Sequence, residues 1–290
     1  MITIITSIYK GDKYIQSYLE NIVKCDNYKN CEHLLFNISH SNSDETNILI
    51  DNYSKKYNNI NLISIQNDPG IYKIWNMGIK LSKYQYLLTS NIDDMIAKDF
   101  LTITFNYLEN NPNIHLAATA VSPNNIINNY NFNNDNPWFI LKKVNKTTEI
   151  LKIKNNYYEY YNPNTLKKKL KNKKKNILNK NIWCKYSYFD MYDMVHLNNN
   201  KIESYNIPHC CPVWRKSLND KYGYFDEENY GTYADYEFWL RCMNHGNIFA
   251  FIPKILVSYY NNTTSYSIRN KNDLLLNKIF YKYFKIFNRY

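Results

Sequence analysis

The strongest constraint on the fold is the alternation of strand-like and helix-like segments over residues 1–121. Short apolar runs alternate with stretches in which apolar residues recur every three or four positions, as on one face of a helix. This alternation is typical of a parallel sheet whose strands are joined by crossover helices. We therefore expect an α/β fold with a Rossmann-like, mostly parallel sheet flanked by helices.

The apolar periodicity also predicts the individual elements. Asp12 is a candidate N-cap for the first helix, and Gly246 is a candidate terminator for a later helix at 235–244. Apolar residues on either side of Pro253 predict a pair of strands, and the alternation within 274–290 predicts an amphipathic helix. Strands are predicted at 2–8, 33–39, 60–66, 84–90 and 115–121, and helices from 12, from the forties, from 71 and at 99–110.

The net charge of +11 is concentrated in one segment of the chain. Residues 142–185 carry fourteen Lys and two Glu, which leaves the rest of the chain near neutral. We therefore predict a Lys/Asn-rich insertion at 122–201, between a first half at 1–121 and a second half at 202–265, followed by the amphipathic helix at 266–290. A protein that binds nucleic acid or an anionic surface through the insertion is an alternative function.

The sequence also constrains the compartment. The segment after Met1 lacks the features of a secretory signal peptide. The six cysteines form no C-x-x-C pair, and the adjacent Cys210 and Cys211 favour reduced thiols. These features predict a cytoplasmic protein.

A polar segment directly follows the fourth predicted strand and contains Asn91, Asp93 and Asp94. Ligands of open parallel sheets bind beyond the carboxyl ends of the strands, which is where this segment is expected. Oxygen side chains spaced in this way can hold a hard divalent cation, which can bridge a diphosphate. The alternative is that these residues only cap the next helix.

Several motifs together resemble the family-2 glycosyltransferases of the GT-A fold. Residues 68–79 (DPGIYKIWNMGI) precede the acidic strand end by one helix and one strand, as in that family. Residues 4–9 resemble its first, nucleotide-binding strand and turn, and residues 41–46 (SNSDET) resemble its loop after the second strand. In the second half, the resemblance covers residues 212–217, 222–227 and 234–241 (ADYEFWLR).

The resemblance implies an enzyme that transfers a sugar from a nucleotide-sugar donor to a hydroxyl acceptor with inversion at the anomeric carbon. It assigns the general base to Asp235 and the main metal contact, to Mn²⁺ or Mg²⁺, to Asp93, with Asn91 and Asp94 as further metal candidates. A degenerate, inactive scaffold of the same fold is another alternative. The expected donor-binding residues are Thr6, Ser7, Tyr9, His40, Asp68, Asn76, Asn91 and Asp93.

Differences from the family pattern affect the donor and the acceptor. Ser39 and His40 stand where an acidic pair often contacts uracil, so a UDP-linked donor is expected from the resemblance and not from base-reading residues. The Q-x-x-R-W motif of processive members is absent, which favours addition of a single sugar.

Trp214 and Arg215 are candidates to line the acceptor pocket, because aromatic faces and guanidinium groups suit sugars and their anionic substituents. The acceptor class, a glycan, a lipid-linked sugar or a protein, is left open, and no specific nucleic-acid partner is expected. The amphipathic C-terminal helix is predicted to pack on its own domain or a homodimer partner, with peripheral membrane contact as the alternative.

Overall fold

The computed structural model describes residues 1–124, 150–154, 157–161, 188–189, 191–198, 201–204, 206–260 and 272–284. Most of the predicted Lys-rich insertion therefore lies outside the described residues. The strands are β1 Ile2–Ile8, β2 Glu32–Asn37, β3 Ile60–Ser64, β4 Tyr86–Thr89, β5 Met95–Ile96, β6 Ile114–Asn124, β7 Ile150–Lys154, β8 Tyr157–Tyr161, β9 Tyr188–Phe189, β10 Val195–Asn198, β11 Lys201–Ser204, β12 Val213–Arg215 and β13 Ile248–Tyr260.

The α-helices of the described residues alternate with these strands in the first half and cluster in the second. They are α1 Ile15–Ile22, α2 Asp44–Lys56, α3 Ile71–Leu81, α4 Phe100–Asn110, α5 Ser217–Tyr222, α6 Glu227–Tyr230, α7 Ala234–Asn244 and α8 Asp273–Phe284. The predicted α/β fold class is confirmed.

The main sheet has nine strands in the order β3-β2-β1-β4-β12-β6-β13-β5, with β9 paired to β13. The first four strands are parallel, as expected from their crossover helices. β12 is antiparallel to both β4 and β6 and lies between them. A short strand from the second half of the chain therefore completes the centre of the sheet.

Helices cover both faces of the sheet. The apolar stripes of α1, α2 and α4 pack on one face, around Ile4, Leu35 and Leu88. The helices α3, α7 and α8 pack on the other, around Ile5, Leu87 and Trp214. β1 and β2 are covered on both faces of the sheet and contain no exposed position, so their polar residues, such as Glu32 and His33, are buried along with the apolar ones.

Two local expectations are wrong. Asp12 does not cap α1, which begins at Ile15 after Tyr14, because the Asp12 carboxylate accepts a hydrogen bond from the backbone of Ser43. The segment around Pro253 is one strand, β13, and not a strand pair. Its pairing with β6 shifts register between Ile252 and Ile255, and such an irregularity accommodates a residue without an N–H.

The C-terminal helix α8 packs on its own domain. Leu276, Ile279 and Phe280 are buried against the face that contains α7. For residues 273–284, this packing agrees with the prediction that the helix packs on its own domain. Within the described part of the chain, no helix is both long enough and apolar enough to span a membrane.

Candidate active site

The predicted site residues gather at the edge of the sheet where the parallel strands end. β1 leads into Tyr9, β4 leads into Asn91–Asp94, and α3 begins after the turn that follows β3. β12 is antiparallel to both β4 and β6, so β6 runs in the same direction as β4, and β13 is parallel to β6. The carboxyl ends of β6 and β13 therefore reach this edge too. Functional groups from both halves of the chain therefore converge there, as in other open α/β sheets.

Asp94 is fully buried at the end of β4, and Asp93 beside it is partly exposed. Asp94 accepts hydrogen bonds of 3.4 Å from the Asn91 amide and from the backbone of Tyr260. Burial raises the pKa of Asp93, and burial together with the Asp93 charge raises the pKa of Asp94 well above its usual range. A cation at this position would offset the negative charge, and oxygen donors fit Mn²⁺ or Mg²⁺.

Asp235 lies in the first turn of α7, with both carboxylate oxygens hydrogen-bonded. Oδ1 accepts from the Tyr72 hydroxyl at 2.9 Å, and Oδ2 accepts from the Asn206 amide at 2.7 Å. Tyr72 belongs to α3, so the helix that starts with the 68–79 motif contacts the carboxylate predicted to be the base. Two donors that fix both oxygens hold the carboxylate in one orientation.

The segment from Asn206 to Cys211 runs between the two acidic groups. Asn206 contacts Asp235, while Cys210 and Cys211 lie against Asp94. His209 contacts the ring of Tyr259, with ring centroids 5.1 Å apart. Burial lowers the pKa of His209, and the nearby Asp235 charge opposes that shift. Burial therefore favours the neutral imidazole of His209, which lies on the segment that joins the contact with Asp235 to the contacts with Asp94.

Aromatic and basic side chains border the acidic strand end on the side of α1. The rings of Tyr14 and Tyr260 lie 5.9 Å apart, and the Lys13 amine lies over both of them. Burial raises the pKa of Tyr14, the Lys13 charge opposes that rise, and the Asp93 charge adds to it. This border offers ring faces and a positive charge next to the carboxylates.

Some predicted donor contacts are exposed at this edge. Tyr9 is 44% exposed, His40 is exposed in the turn after β2, and Ser7 is at the end of β1 with a little accessible surface. Asp68 is exposed and accepts a hydrogen bond from the backbone of Gly70, which shapes the turn before α3. These four residues stay predicted donor contacts.

Thr6 and Asn76 are positioned differently from the prediction. Thr6 is fully buried, and its hydroxyl shares hydrogen bonds with Tyr18 and His33. The amide of Asn76 donates to the Phe225 carbonyl and accepts from the Phe225 N–H, at 2.8 and 3.0 Å. Both side chains are engaged within the fold, so we correct their assignment from donor contacts to structural residues.

Trp214 and Arg215 are also positioned away from the acceptor side. Trp214 has no exposed surface and its indole N–H donates to Asn219. Arg215 pairs with Tyr86 at the beginning of β4, the edge opposite Asn91, and its guanidinium donates to the Ile114 and Leu108 carbonyls and the Tyr86 hydroxyl. The antiparallel direction of β12 explains the error, because it carries these residues away from the site.

Sequence reasoning missed the two groups that hold Asp235. Tyr72 lies within the 68–79 motif, and a polar ring in the buried first turn of a helix was an available signal. Asn206 has no comparable signal, because its partner is 29 residues away and no periodic pattern includes it.

The fold is that of the GT-A class of glycosyltransferases. One structural neighbour is TarS of S. aureus, residues 1–349, in complex with UDP (TM-score 0.55, 16% identity, 90% of this chain and 61% of that chain). Another is the mannosyltransferase PcManGT of Pyrobaculum calidifontis, in complex with GDP-Man and Mn²⁺ (TM-score 0.55, 10% identity, 96% of this chain and 69% of that chain). At these identities the likeness establishes the fold alone.

The family is established by sequence. The Glycosyl transferase family 2 model matches residues 3–173, more than half of the chain. The chain belongs to glycosyl transferase family 2. It is also 23% identical over 109 residues to glycosyltransferase GlyG of Streptococcus pneumoniae serotype 4 (strain ATCC BAA-334 / TIGR4), a match that covers 38% of this chain and 35% of that protein. The chain thus spans about a third of that relative and less than two thirds of the TarS chain.

Proposed function

We propose that this protein transfers a single sugar from a nucleotide-sugar donor to a hydroxyl group of an acceptor, with inversion at the anomeric carbon. The observation that carries the proposal is the pairing of a fixed carboxylate, Asp235, with the acidic end of β4 at one edge of the sheet. In a displacement at the anomeric carbon, the oriented carboxylate of Asp235 suits the attacking hydroxyl. The carboxylates at the end of β4 suit a cation that would bind the leaving diphosphate.

In this mechanism Asp235 accepts the proton of the acceptor hydroxyl while that oxygen bonds to the anomeric carbon. The bond from the anomeric carbon to the diphosphate oxygen breaks, and the diphosphate leaves with the electron pair. Tyr72 and Asn206 hold Asp235 in place for the attack. Asp93, with Asn91 and Asp94, would hold Mn²⁺ or Mg²⁺, which when bound offsets charge on the departing diphosphate.

We further propose a UDP-linked donor. TarS has been solved with UDP and with UDP-GlcNAc, which supports a uridine nucleotide, whereas the mannosyltransferase holds GDP-Man. Tyr9 and His40 are the accessible groups that would contact the base and ribose. The Lys13 amine beside the acidic strand end would contact the diphosphate.

The test is a thermal-shift screen with UDP-, GDP-, CMP- and dTDP-sugars, each with Mn²⁺ or with EDTA. Binding to the folded state raises the apparent melting temperature, so we expect a metal-dependent shift with UDP-sugars. Asp93→Asn should abolish the shift, and Asp26→Asn, at an exposed carboxylate paired with Lys98, should keep it.

A second variant separates binding from chemistry. Asp235→Asn should keep the donor-induced shift and lower the rate of donor hydrolysis by about 10²–10⁴-fold, the usual contribution of a general base. Absence of a shift with every donor would refute donor binding. Full hydrolytic activity in Asp235→Asn would refute only the role of the base.

A further inference from the structure

A cluster of two thiols and a carboxylate lies beneath the acidic strand end, and the proposed transfer reaction does not use the thiols. Asp94, Cys210 and Cys211 are 1%, 5% and 3% exposed. Their potential ligand atoms, one carboxylate oxygen and two sulfurs, lie within 4.8 Å of one another. The three side chains therefore converge on one point.

The backbone brings the two adjacent thiols together. Successive side chains of an extended segment point in opposite directions, which would separate Cys210 from Cys211. Cys211 instead has a φ of +54°, in the left-handed region that a non-glycine residue rarely adopts. This turn, directly before β12, is what allows both sulfurs to face Asp94.

The ligand atoms of this cluster favour a different class of metal ion from the ligand atoms of Asn91 and Asp93. Asn91 and Asp93 offer oxygen alone, which suits hard cations such as Mg²⁺ and Mn²⁺. Two sulfurs and one carboxylate oxygen suit a thiophilic divalent cation such as Zn²⁺ or Cd²⁺. Three protein ligands would leave one position of a tetrahedral site for water or a substrate oxygen.

The dimensions of the cluster are close to those of a bound site. With Zn–S bonds of about 2.3 Å, tetrahedral ligand atoms lie about 3.8 Å apart. Side-chain rotations that move the atoms by about 1 Å would therefore close the cluster around an ion. The hydrogen bonds that Asp94 accepts from Asn91 and Tyr260 are both long, at 3.4 Å, so a turn of the carboxylate toward the thiols disturbs two weak contacts.

We propose that Asp94, Cys210 and Cys211 form a binding site for a thiophilic divalent cation of the zinc class. The site is distinct in chemistry from the hard-cation position at Asp93, although Asp94 lies between the two. The proposal concerns metal binding alone and does not depend on the transfer reaction.

The experiment is titration of the reduced, metal-free full chain with Cd²⁺, followed by the ultraviolet charge-transfer band of thiolate–Cd²⁺ bonds. We expect the band to saturate at about one ion per chain, in excess Mg²⁺ as well, because Mg²⁺ does not compete for sulfur. Cys210→Ser, Cys211→Ser and Asp94→Asn should each weaken binding by more than about 100-fold.

Cys25→Ser is the matched control, since Cys25 is a buried thiol on the same face of the sheet that contacts the Asn21 and Ala97 carbonyls and does not belong to the Asp94 cluster. It should bind Cd²⁺ like the parent chain. A thermal melt of each variant without metal shows whether it is folded. Absence of the band in the folded parent chain, or its retention in Cys210→Ser and Cys211→Ser, would overturn the proposal. Unaltered donor-induced thermal shifts beside a missing Cd²⁺ band would refute this site and leave the proposed function standing.

Discussion

At the scale of single residues, the hydrogen bonds that orient Asp235 couple two distant parts of the sequence. Tyr72 comes from the first turn of the helix that follows β3, and Asp235 from the first turn of a helix 163 residues later. Burial, and then the Asp235 charge, keeps the pKa of Tyr72 well above its ordinary value, so the hydroxyl stays a hydrogen-bond donor.

Tyr72→Phe removes that donor and leaves the ring packing in place. We expect the rate constant for donor hydrolysis to fall by about 10- to 150-fold, because one hydrogen bond to a charged group contributes about 1.5–3 kcal/mol. Asn206 still holds the other oxygen. The donor-induced thermal shift should not change. Tyr236→Phe is the control, since it removes a buried hydroxyl from the same helix as Asp235 whose partner is the Met194 carbonyl. Equal losses in both variants would mean that Tyr72 acts through stability alone.

The two hydrogen bonds between Asn76 and Phe225 predict a purely structural effect. Asn76→Ala leaves the Phe225 N–H and carbonyl without this partner, and we expect the free energy of unfolding to fall by about 2–3 kcal/mol. Urea denaturation measures the loss. We expect the donor affinity of the folded fraction of this variant to equal that of the parent chain. A specific loss of donor affinity in a stable variant would restore Asn76 to the donor site.

At the scale of elements, the close contact of α3 with β1 places the 68–79 motif against the sheet. A Cβ on Gly78 would lie 2.5 Å from a methyl carbon of Ile5, inside the contact distance. Gly78 therefore allows α3 to pack closely on β1, although glycine in the middle of a helix has an unfavourable helix propensity.

Gly78→Ala should destabilise the protein by about 1–3 kcal/mol, although alanine is the better helix former, because β1 or α3 must move. Combining it with Ile5→Ala removes the conflicting methyl groups. The double variant should therefore be more stable than the sum of the two single changes, measured by chemical denaturation as a coupling free energy. Simple additivity would show that the helix and the strand separate without strain.

The C-terminal helix α8 is a second element whose contribution can be measured. Phe280 is fully buried against the α7 face, whereas its neighbour Tyr281 is 60% exposed. Phe280→Ala should lower the free energy of unfolding by about 3–5 kcal/mol, and Tyr281→Ala by less than about 0.5 kcal/mol. Similar small effects of the two would indicate that α8 is detached in solution.

Charged side chains also connect α8 to α7, the helix that contains Asp235. Glu237, 1% exposed, accepts hydrogen bonds from Arg241 at 2.9 Å, from Lys282 at 2.8 Å and from Tyr283. A buried carboxylate needs such partners, because removing one leaves a charge uncompensated. These contacts connect the amphipathic tail to α7 directly.

At the scale of the whole molecule, the stability should depend on pH through His33. This side chain is fully buried between Tyr28 and Thr6, and burial lowers its pKa to about 3. The unfolded chain binds a proton near pH 6.5, whereas the folded chain does not until about pH 3. The stabilisation is therefore complete above about pH 6.5 and is lost progressively as the pH falls below it.

We expect His33 to contribute a slope of up to about 1.4 kcal/mol per pH unit between about pH 6 and 4. Urea denaturation of the parent chain and of His33→Gln across this range measures the contribution, and the variant should show the smaller slope. His40→Gln is the control, because that imidazole is exposed. Identical slopes in the parent and His33→Gln would contradict the assignment.

The sequence predicted what depends on local periodicity and on motifs. Strands, crossover helices and the acidic strand end follow from such patterns, and the family was recognisable from residues 68–79 with Asn91–Asp94. The errors concern long-range partners. Asn76 looked functional because its partner, Phe225, is 149 residues away, and Arg215 looked accessible because the direction of β12 is set by its neighbours in the sheet.

The position of β12 also governs when the protein can fold. β4 and β6 flank β12 in the sheet, but β12 is reached only after residue 212. During synthesis, the first four strands therefore emerge with the inner edge of β4 exposed, and the sheet closes when residues 213–215 arrive. An uncovered strand edge promotes pairing with other chains. The interval between β6 and β12 is thus the period in which a growing chain most needs protection from aggregation.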